Sequence, residues 1–262
     1  MNIYDFTGLN ETATSSFVPT EAIVFNGVKL DEQLPYYRTL NVSGRENFER
    51  SLNTVETSGD GEFLLSSKIN ANTIVVTFAL EADDAQDFND RFDELKRNLI
   101  GMDVPFKFTD EEEYTRYGTV TKLDNPQPGR LSIVGTFEIR QSDPYKYTSL
   151  ITTTGTNTVK LSGDKNMSID LSKISFSLVS DALNVKIKVG NSYTLSLSGN
   201  FKAGDNFNVN FENKTITSMN ASVLGNMNIP QSNIFEAVVI SGDIVTGTNI
   251  ANLSVSYREK TL

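Results

Sequence analysis

The feature that most restricts the fold of this chain is its cadence of short apolar runs, separated by turns rich in Gly, Asn and Asp. Val185-Lys186-Ile187-Lys188-Val189 alternates strictly, so one side of that segment faces a core and the other faces water. Past residue 155, similar runs fall at 158–161, 174–179, 184–189, 193–197, 207–211, 214–217, 234–240 and 250–257. Regular spacing of that kind predicts an antiparallel β-sandwich. The first half shows the same habit less evenly. An apolar run on either side of Asn26-Gly27 predicts a hairpin over 22–30. Strands are expected at 36–42, ending at Ser43-Gly44-Arg45, and at 74–80, 104–108, 114–123 and 130–140. Asn125-Pro126-Gln127-Pro128-Gly129 separates the last two, because Pro and Gly stop pairing there. The stretch 46–62, with its Gly59-Asp60-Gly61 turn, is too charged for a core and reads as a long exposed loop or an extended hairpin arm. Residues 1–20 read as an arm that orders against a neighbour.

One segment breaks the strand cadence. Phe88, Phe92, Leu95 and Leu99 recur at helical spacing within 83–99 and predict a single amphipathic helix. Asp83 or Asp84 would cap it, Lys96 and Arg97 complement its C-terminal end, and Gly101 stops it.

Inventory removes whole classes of chemistry. The 262 residues contain no Cys, no His and no Trp. Disulfides, thiolate nucleophiles, Ser-His activation and the common zinc and copper ligand sets are therefore unavailable. No apolar run is long enough to span a membrane, and the first residues lack the basic and apolar regions of a secretory signal, which predicts synthesis and folding in a cytoplasm. Charge is uneven: residues 1–147 hold 25 Asp+Glu against 14 Lys+Arg, while 148–262 hold 8 against 9. The acidic half argues against sequence-independent binding to nucleic acid. The composition changes at the same place, which predicts two domains, 1–147 and 148–262.

Three clusters could carry chemistry. Asp110-Glu111-Glu112-Glu113 could hold a cation or an acid/base pair, but consecutive carboxylates scatter around a strand or loop, and a solvated loop is the expected state. Asp83, Asp84, Asp87, Asp90 and Asp93 imitate calcium-loop spacing. Counted from Asp83, however, Phe88 occupies the position that needs glycine, so a solvated helix face is expected. Tyr193, Phe201, Phe207, Asn210, Asn213 and Tyr257 are candidates for a sugar-binding face. No residue is assigned as catalytic, cofactor-binding or metal-binding, and no cofactor is expected. Gly44 is read as a turn and Arg45 as an interface or salt-bridge residue.

The order of elements over 20–147 resembles the siphophage tail family that includes distal tail proteins. The matching residues begin with Phe25-Asn26-Gly27, Gly44-Arg45, Gly59-Asp60-Gly61 and Ile74-Val75-Val76-Thr77-Phe78. They continue through the acidic helix, Pro105-Phe106-Lys107-Phe108-Thr109-Asp110, Tyr114-Thr115-Arg116-Tyr117-Gly118 and the closing Asp143-Pro144-Tyr145. The acidic run after Phe108 departs from the family pattern. Residues 148–262 are similar to a galectin-like domain, through the strand 195–201, the Ala203-Gly204-Asp205 turn, the hairpin 211–216 and a last strand through Tyr257. That domain's sugar site does not carry over, because its Trp and His are missing and Arg258 is the only arginine there.

The resemblance implies a mainly β, non-enzymatic virion protein located at the tail tip. Its N-terminal β-sandwich-like domain would close a homo-hexameric ring, and its galectin-like domain would project outward. The implied partners are the tail tube protein, the tail-associated tail-tip protein and receptor-binding or baseplate proteins. DNA would pass through the lumen without specific binding, and no membrane is involved. If the acidic residues lined that lumen, they would repel DNA. The competing expectation is a carbohydrate-binding β-sandwich or adhesin.

Overall fold

Asn26 and Gly27 turn the chain with φ of 50° and 81°, the paired positive values that a two-residue hairpin turn requires. They join β1 (Ile23–Phe25) to β2 (Val28–Lys29), with Val24 opposite Lys29 and Phe25 opposite Val28. The computed structural model describes residues 19–124, 131–163 and 167–262. Residues 1–18 of the expected arm and the Pro-Gly connection at 125–129 lie outside them. The chain divides into two units, Met1–Pro144 and Tyr145–Leu262.

In the first unit the hairpin is cut short by α1 (Leu30–Gln33), a single helical turn not expected from the pattern. Its cause is tertiary: Leu30 and Leu34 are fully buried. Next come β3 (Tyr37–Ser43), β4 (Arg50–Glu56), β5 (Glu62–Ile69) and β6 (Asn72–Glu81). They are followed by α2 (Ala85–Leu99), β7 (Val104–Phe108), β8 (Arg116–Leu123) and β9 (Ser132–Gln141). Seven of these strands form one antiparallel sheet in the order β2-β1-β7-β8-β9-β6-β3. β8 is the hinge of that sheet, pairing with β7 through Arg116–Gly118 and with β9 from Thr119 onward. The inward residues of both halves therefore share one core. Phe25, Phe106 and Phe108 from one half join Ile74, Val76, Phe78, Leu80 and Phe137 from the other. Helix α2 covers them with Phe88, Phe92, Leu95 and Leu99, the stripe read from its spacing. Asp84 caps the helix by accepting from the N–H groups of Gln86 and Asp87 at 2.9 Å each. Asp87 reaches back to the N–H of Asp83, the residue before the cap, at 2.8 Å.

The second unit is an antiparallel sandwich. Tyr147 and Lys146 (β10, Lys146–Tyr147) pair with the end of the last strand, which is why the division falls before Tyr145. The strands are β11 (Ile151–Gly155), β12 (Thr158–Lys160), β13 (Ser168–Leu178), β14 (Ala182–Val189), β15 (Tyr193–Phe201) and β16 (Asn206–Asn210). β17 (Thr215–Ser218), β18 (Ala221–Ser222), β19 (Val239–Ile240), β20 (Ile244–Gly247) and β21 (Ile250–Thr261) complete the set. One sheet runs β10-β21-β13-β16-β17-β18, with β11 on β21 and β19 on β13; the other runs β12-β20-β14-β15. The alternation in β14 holds, with Val185, Ile187 and Val189 buried and Lys186 and Lys188 exposed. Tyr257 is fully buried, and its hydroxyl donates to the carbonyl of Ser162 at 2.9 Å and accepts from that residue's N–H at 3.1 Å.

The expected strand at 234–240 is mostly not one. Ile234–Glu236 is a 3-10 turn, and only Val239–Ile240 pairs as a strand. The preceding segment satisfies the edge of β15 in irregular fashion. Asn228 N–H donates to the carbonyl of Ser196, Ser232 Oγ accepts from Ser196 N–H, and Asn233 exchanges bonds with Thr194. Ile234 and Val239 are buried against the sandwich, whereas Val238 and Ile240 are exposed.

Candidate assembly surface

The residues singled out for chemistry are distributed by the fold in ways that disperse them. Phe201, Phe207 and Tyr257 are core residues; Phe207 stacks on Phe176 with ring centroids 5.0 Å apart. Tyr193 packs against the same core. Asn210 ends β16 and Asn213 lies in the turn after it, where Asn210 Oδ1 accepts from Asn213 N–H at 2.9 Å. The sugar-face set is thus divided between the core and a turn. The aspartates at the start of α2 cap it or pair with Arg91, which reaches Asp87 at 2.8 Å and Asp83 at 3.1 Å. Among the described residues no group of three His, Cys, Asp or Glu side chains is placed to hold a metal.

The acidic run needs correction. Glu112 and Glu113 are exposed, as expected of a solvated loop. Asp110 and Glu111 instead form half of an arginine clamp. Arg45 donates to both oxygens of Asp110 at 2.8 Å each and to Glu21 at 3.2 Å, and it lies 3.7 Å from Glu111. Glu111 also sits 2.8 Å from the guanidinium of Arg116, itself buried. Both guanidinium groups approach the face of Phe108, at 4.8 and 5.7 Å from its centroid. The hydrogen bond to Asp110, reinforced by the nearby Glu21 and Glu111 charges, outweighs the opposing effect of burial and holds the Arg45 guanidinium above its ordinary pKa. A fully charged, bidentate arginine results. The salt-bridge reading of Arg45 is the one the geometry supports.

What the clamp fixes is the root of a ribbon. Directly after Arg45 the chain leaves the main sheet as β4, turns through Thr57–Gly61 and returns as β5. Among the described residues β4 and β5 pair only with each other, from Arg50–Ile69 to Glu56–Glu62. Of the two readings of 46–62, the hairpin arm is the one realised, and it continues to Ile69. Its root is held by the Asn72 side-chain amide, which donates to Gly44 carbonyl at 2.7 Å, and by Asn70 N–H on Glu49 carbonyl at 2.8 Å. Gly44 has φ of +89°, and a Cβ there would lie 2.5 Å from the Thr73 carbonyl oxygen. Only glycine fits that corner.

The ribbon carries apolar side chains into solvent. Phe63, Leu64 and Leu65 are 68, 61 and 61% exposed, and Leu52 and Val55 are similar. Val55 lies directly opposite Phe63, and Leu65 falls in a bulge. A two-stranded ribbon gains little from its own pairing, and clustered exposed apolar residues mark an interaction surface. The run 63–65 was the available signal for this: three apolar residues beside a Gly-Asp-Gly turn, with no partner strand in the pattern. A second feature of the same unit is an open groove of about 460 Å³ where α2 ends beside β8. Its lining includes Leu99, Ile100, Val120 and Leu123 together with Lys96 and Lys122.

The chain is mainly β, and its first unit is a seven-stranded sheet covered by α2 that carries a clamped two-stranded ribbon. Residues 26–159 match the sequence model of the phage tail protein RIFT-related domain, just over half of the chain, and the chain belongs to that family. The whole fold is similar to the crystal structure of Dit from phage SPP1, described as a paradigm of the hub adsorption apparatus in phages that infect Gram-positive bacteria. That likeness has a TM-score of 0.75 at 19% identity and covers 92% of this chain and 99% of that one. The phage P2 baseplate in its activated conformation, with Ca or with Sr, matches with a TM-score of 0.47 at 8% identity over 84% of this chain and 90% of that one. No curated protein sequence matches.

Proposed function

We propose that this chain is a distal tail protein. In this reading it forms a hexameric ring at the far end of a siphophage tail tube and serves as the hub between the tube and the baseplate or receptor-binding apparatus. The observation that carries the reading is coverage. Family membership and the SPP1 Dit likeness together account for both units, including the second one, which the family match barely enters.

In the ring, the first unit supplies the repeated contact. Six-fold closure needs a heterologous interface, in which one surface of each copy meets a different surface of the next. A clamped ribbon with exposed apolar residues suits the projecting half of such a contact. The second unit, a galectin-like sandwich in this reading, docks peripheral proteins, and the tail-tip protein binds below the ring. The role is structural and non-enzymatic, and DNA passes through the lumen without specific contacts.

The test is the oligomeric state of the full chain, measured by light scattering and electron microscopy, alone and with its tail-tip partner. Six-membered rings are expected. A chain that stays monomeric under both conditions would overturn the reading.

A further inference from the structure

The two ends of the first unit's sheet meet through side chains. At one end lies β2, which α1 follows directly; at the other lies β3. Asp31 of α1 nevertheless accepts from the N–H and the hydroxyl of Thr39 in β3, at 2.7 Å each. Glu21, two residues before β1, accepts from Val42 N–H at 3.2 Å. The seven strands therefore curl into an incomplete barrel, and carboxylates close its seam where a backbone ladder would otherwise run.

An open sheet edge is a template for an added strand. β2 is only two residues long and offers little. β3 is seven residues long, and among the described residues no strand pairs with its outer side. N–H groups alternate between the two sides of a strand, so those of Tyr37 and Thr39 point outward together. Leu40 is an extra residue in the pairing with β6, which moves the next outward N–H from Asn41 to Val42. All three are occupied. Tyr37 N–H donates to the Leu34 carbonyl, just after α1, at 2.9 Å, and the other two donate to Asp31 and Glu21. Each of these oxygens stands where a carbonyl of an added strand would stand.

We propose that Asp31 and Glu21 form a latch that shuts the β3 edge to edge-to-edge pairing with a second copy of this chain. The lone turn α1, anchored by the buried Leu30 and Leu34, carries one half of the latch. Burial pushes the Asp31 carboxyl above its ordinary pKa, and the bonds from Thr39 oppose that shift without cancelling it. A carboxylate held in so unfavourable a place is explained by the amide it covers. Glu21 also accepts from Arg45 at 3.2 Å, so the latch and the arginine clamp share one carboxylate. Leu40, 49% exposed at the bulge, is the apolar group that an unlatched edge would bring together between copies. The latch does not depend on the ring reading, and the failure of either leaves the other in place.

The parent chain gives the first measurement. Amide exchange read by NMR should find Thr39 and Val42 protected, and exchange at the rate of free amides would overturn the latch. Full-length Asp31→Ala should then speed exchange at Thr39 about tenfold and, in sedimentation velocity, form species larger than the parent's at about tenfold lower concentration. Asp31→Asn should behave as the parent, because its oxygen still accepts from the N–H while its NH2 donates to the Thr39 hydroxyl. Adding Leu40→Lys to Asp31→Ala should reverse the association by placing a charge on the open edge. Asp84→Ala weakens the same unit without touching β3 and should not associate. Should Asp31→Ala fail to fold, Glu21→Ala opens the Val42 end of the same edge and decides in its place. An alanine variant that associates no more than the parent, or an Asp84→Ala chain that associates equally, would overturn the proposal.

Discussion

Removing Arg45 tests the clamp most directly. The side chain is 13% exposed, and its two bonds to Asp110, itself 24% exposed, are short and bidentate. Charge-assisted bonds of this kind contribute about 1.5–3 kcal/mol. Stacking over Phe108 adds about 0.5–1 kcal/mol. The contact with Glu21, which is 37% exposed, adds little because solvent screens it. Glu111 keeps Arg116 as a partner, so Asp110 is the group left worst off. Together these place the cost of Arg45→Ala at about 3 kcal/mol. In a unit of this size that lowers the melting temperature by roughly 5–10 °C. Calorimetry of the full chain reads it, and the transition of the second unit serves as an internal control because it should not move. Asp110→Asn in the same chain should recover part of the loss, since it removes the uncompensated carboxylate, and the cycle should show a coupling of about 1–2 kcal/mol. Arg45→Lys should recover less, because an ammonium cannot make the fork. A loss below about 1 kcal/mol, or one abolished by roughly 1 M salt, would refute the view of Arg45 as a partly buried clamp.

Gly44→Ala should cost about 2–4 kcal/mol, since it adds a Cβ against the Thr73 carbonyl at a positive φ, and denaturant titration of the first unit would register it. Asp84→Ala removes both cap bonds of α2 and should cost about 1 kcal/mol, with faster amide exchange confined to the first turn of that helix. Tyr257→Phe deletes a buried hydroxyl bonded to the N–H, hydroxyl and carbonyl of Ser162 and should destabilise only the second unit, by about 1–2 kcal/mol in urea. Phe63→Ser/Leu64→Ser should leave the folded monomer within about 0.5 kcal/mol of the parent, because both side chains are already in water, while reducing association in sedimentation.

Sequence by itself determined the parts whose cause is local. Asn26-Gly27 turns because those residues tolerate positive φ, and the stripe Phe88, Phe92, Leu95 and Leu99 buries because its spacing matches a helical face. The β14 alternation and the absence of thiol and imidazole chemistry were equally legible. Tertiary structure decided wherever a residue's environment comes from far along the chain. Arg45 and Asp110 are 65 residues apart, and no local pattern says that the acidic run after Phe108 holds an arginine beneath it. Phe207 and Tyr257 have the same composition signal as a sugar-stacking face, and only the second sheet laid over them makes them core. Ile234 and Phe235 look like strand residues, but the chain just before them is bonded to the edge of β15 through Asn228, Ser232 and Asn233, and they follow as a 3-10 turn. Phe63, Leu64 and Leu65 show the converse. Their apolar character is plain in the sequence, but burial depends on a surface that packs against them, and among the described residues β4 and β5 pair only with each other, leaving that run exposed.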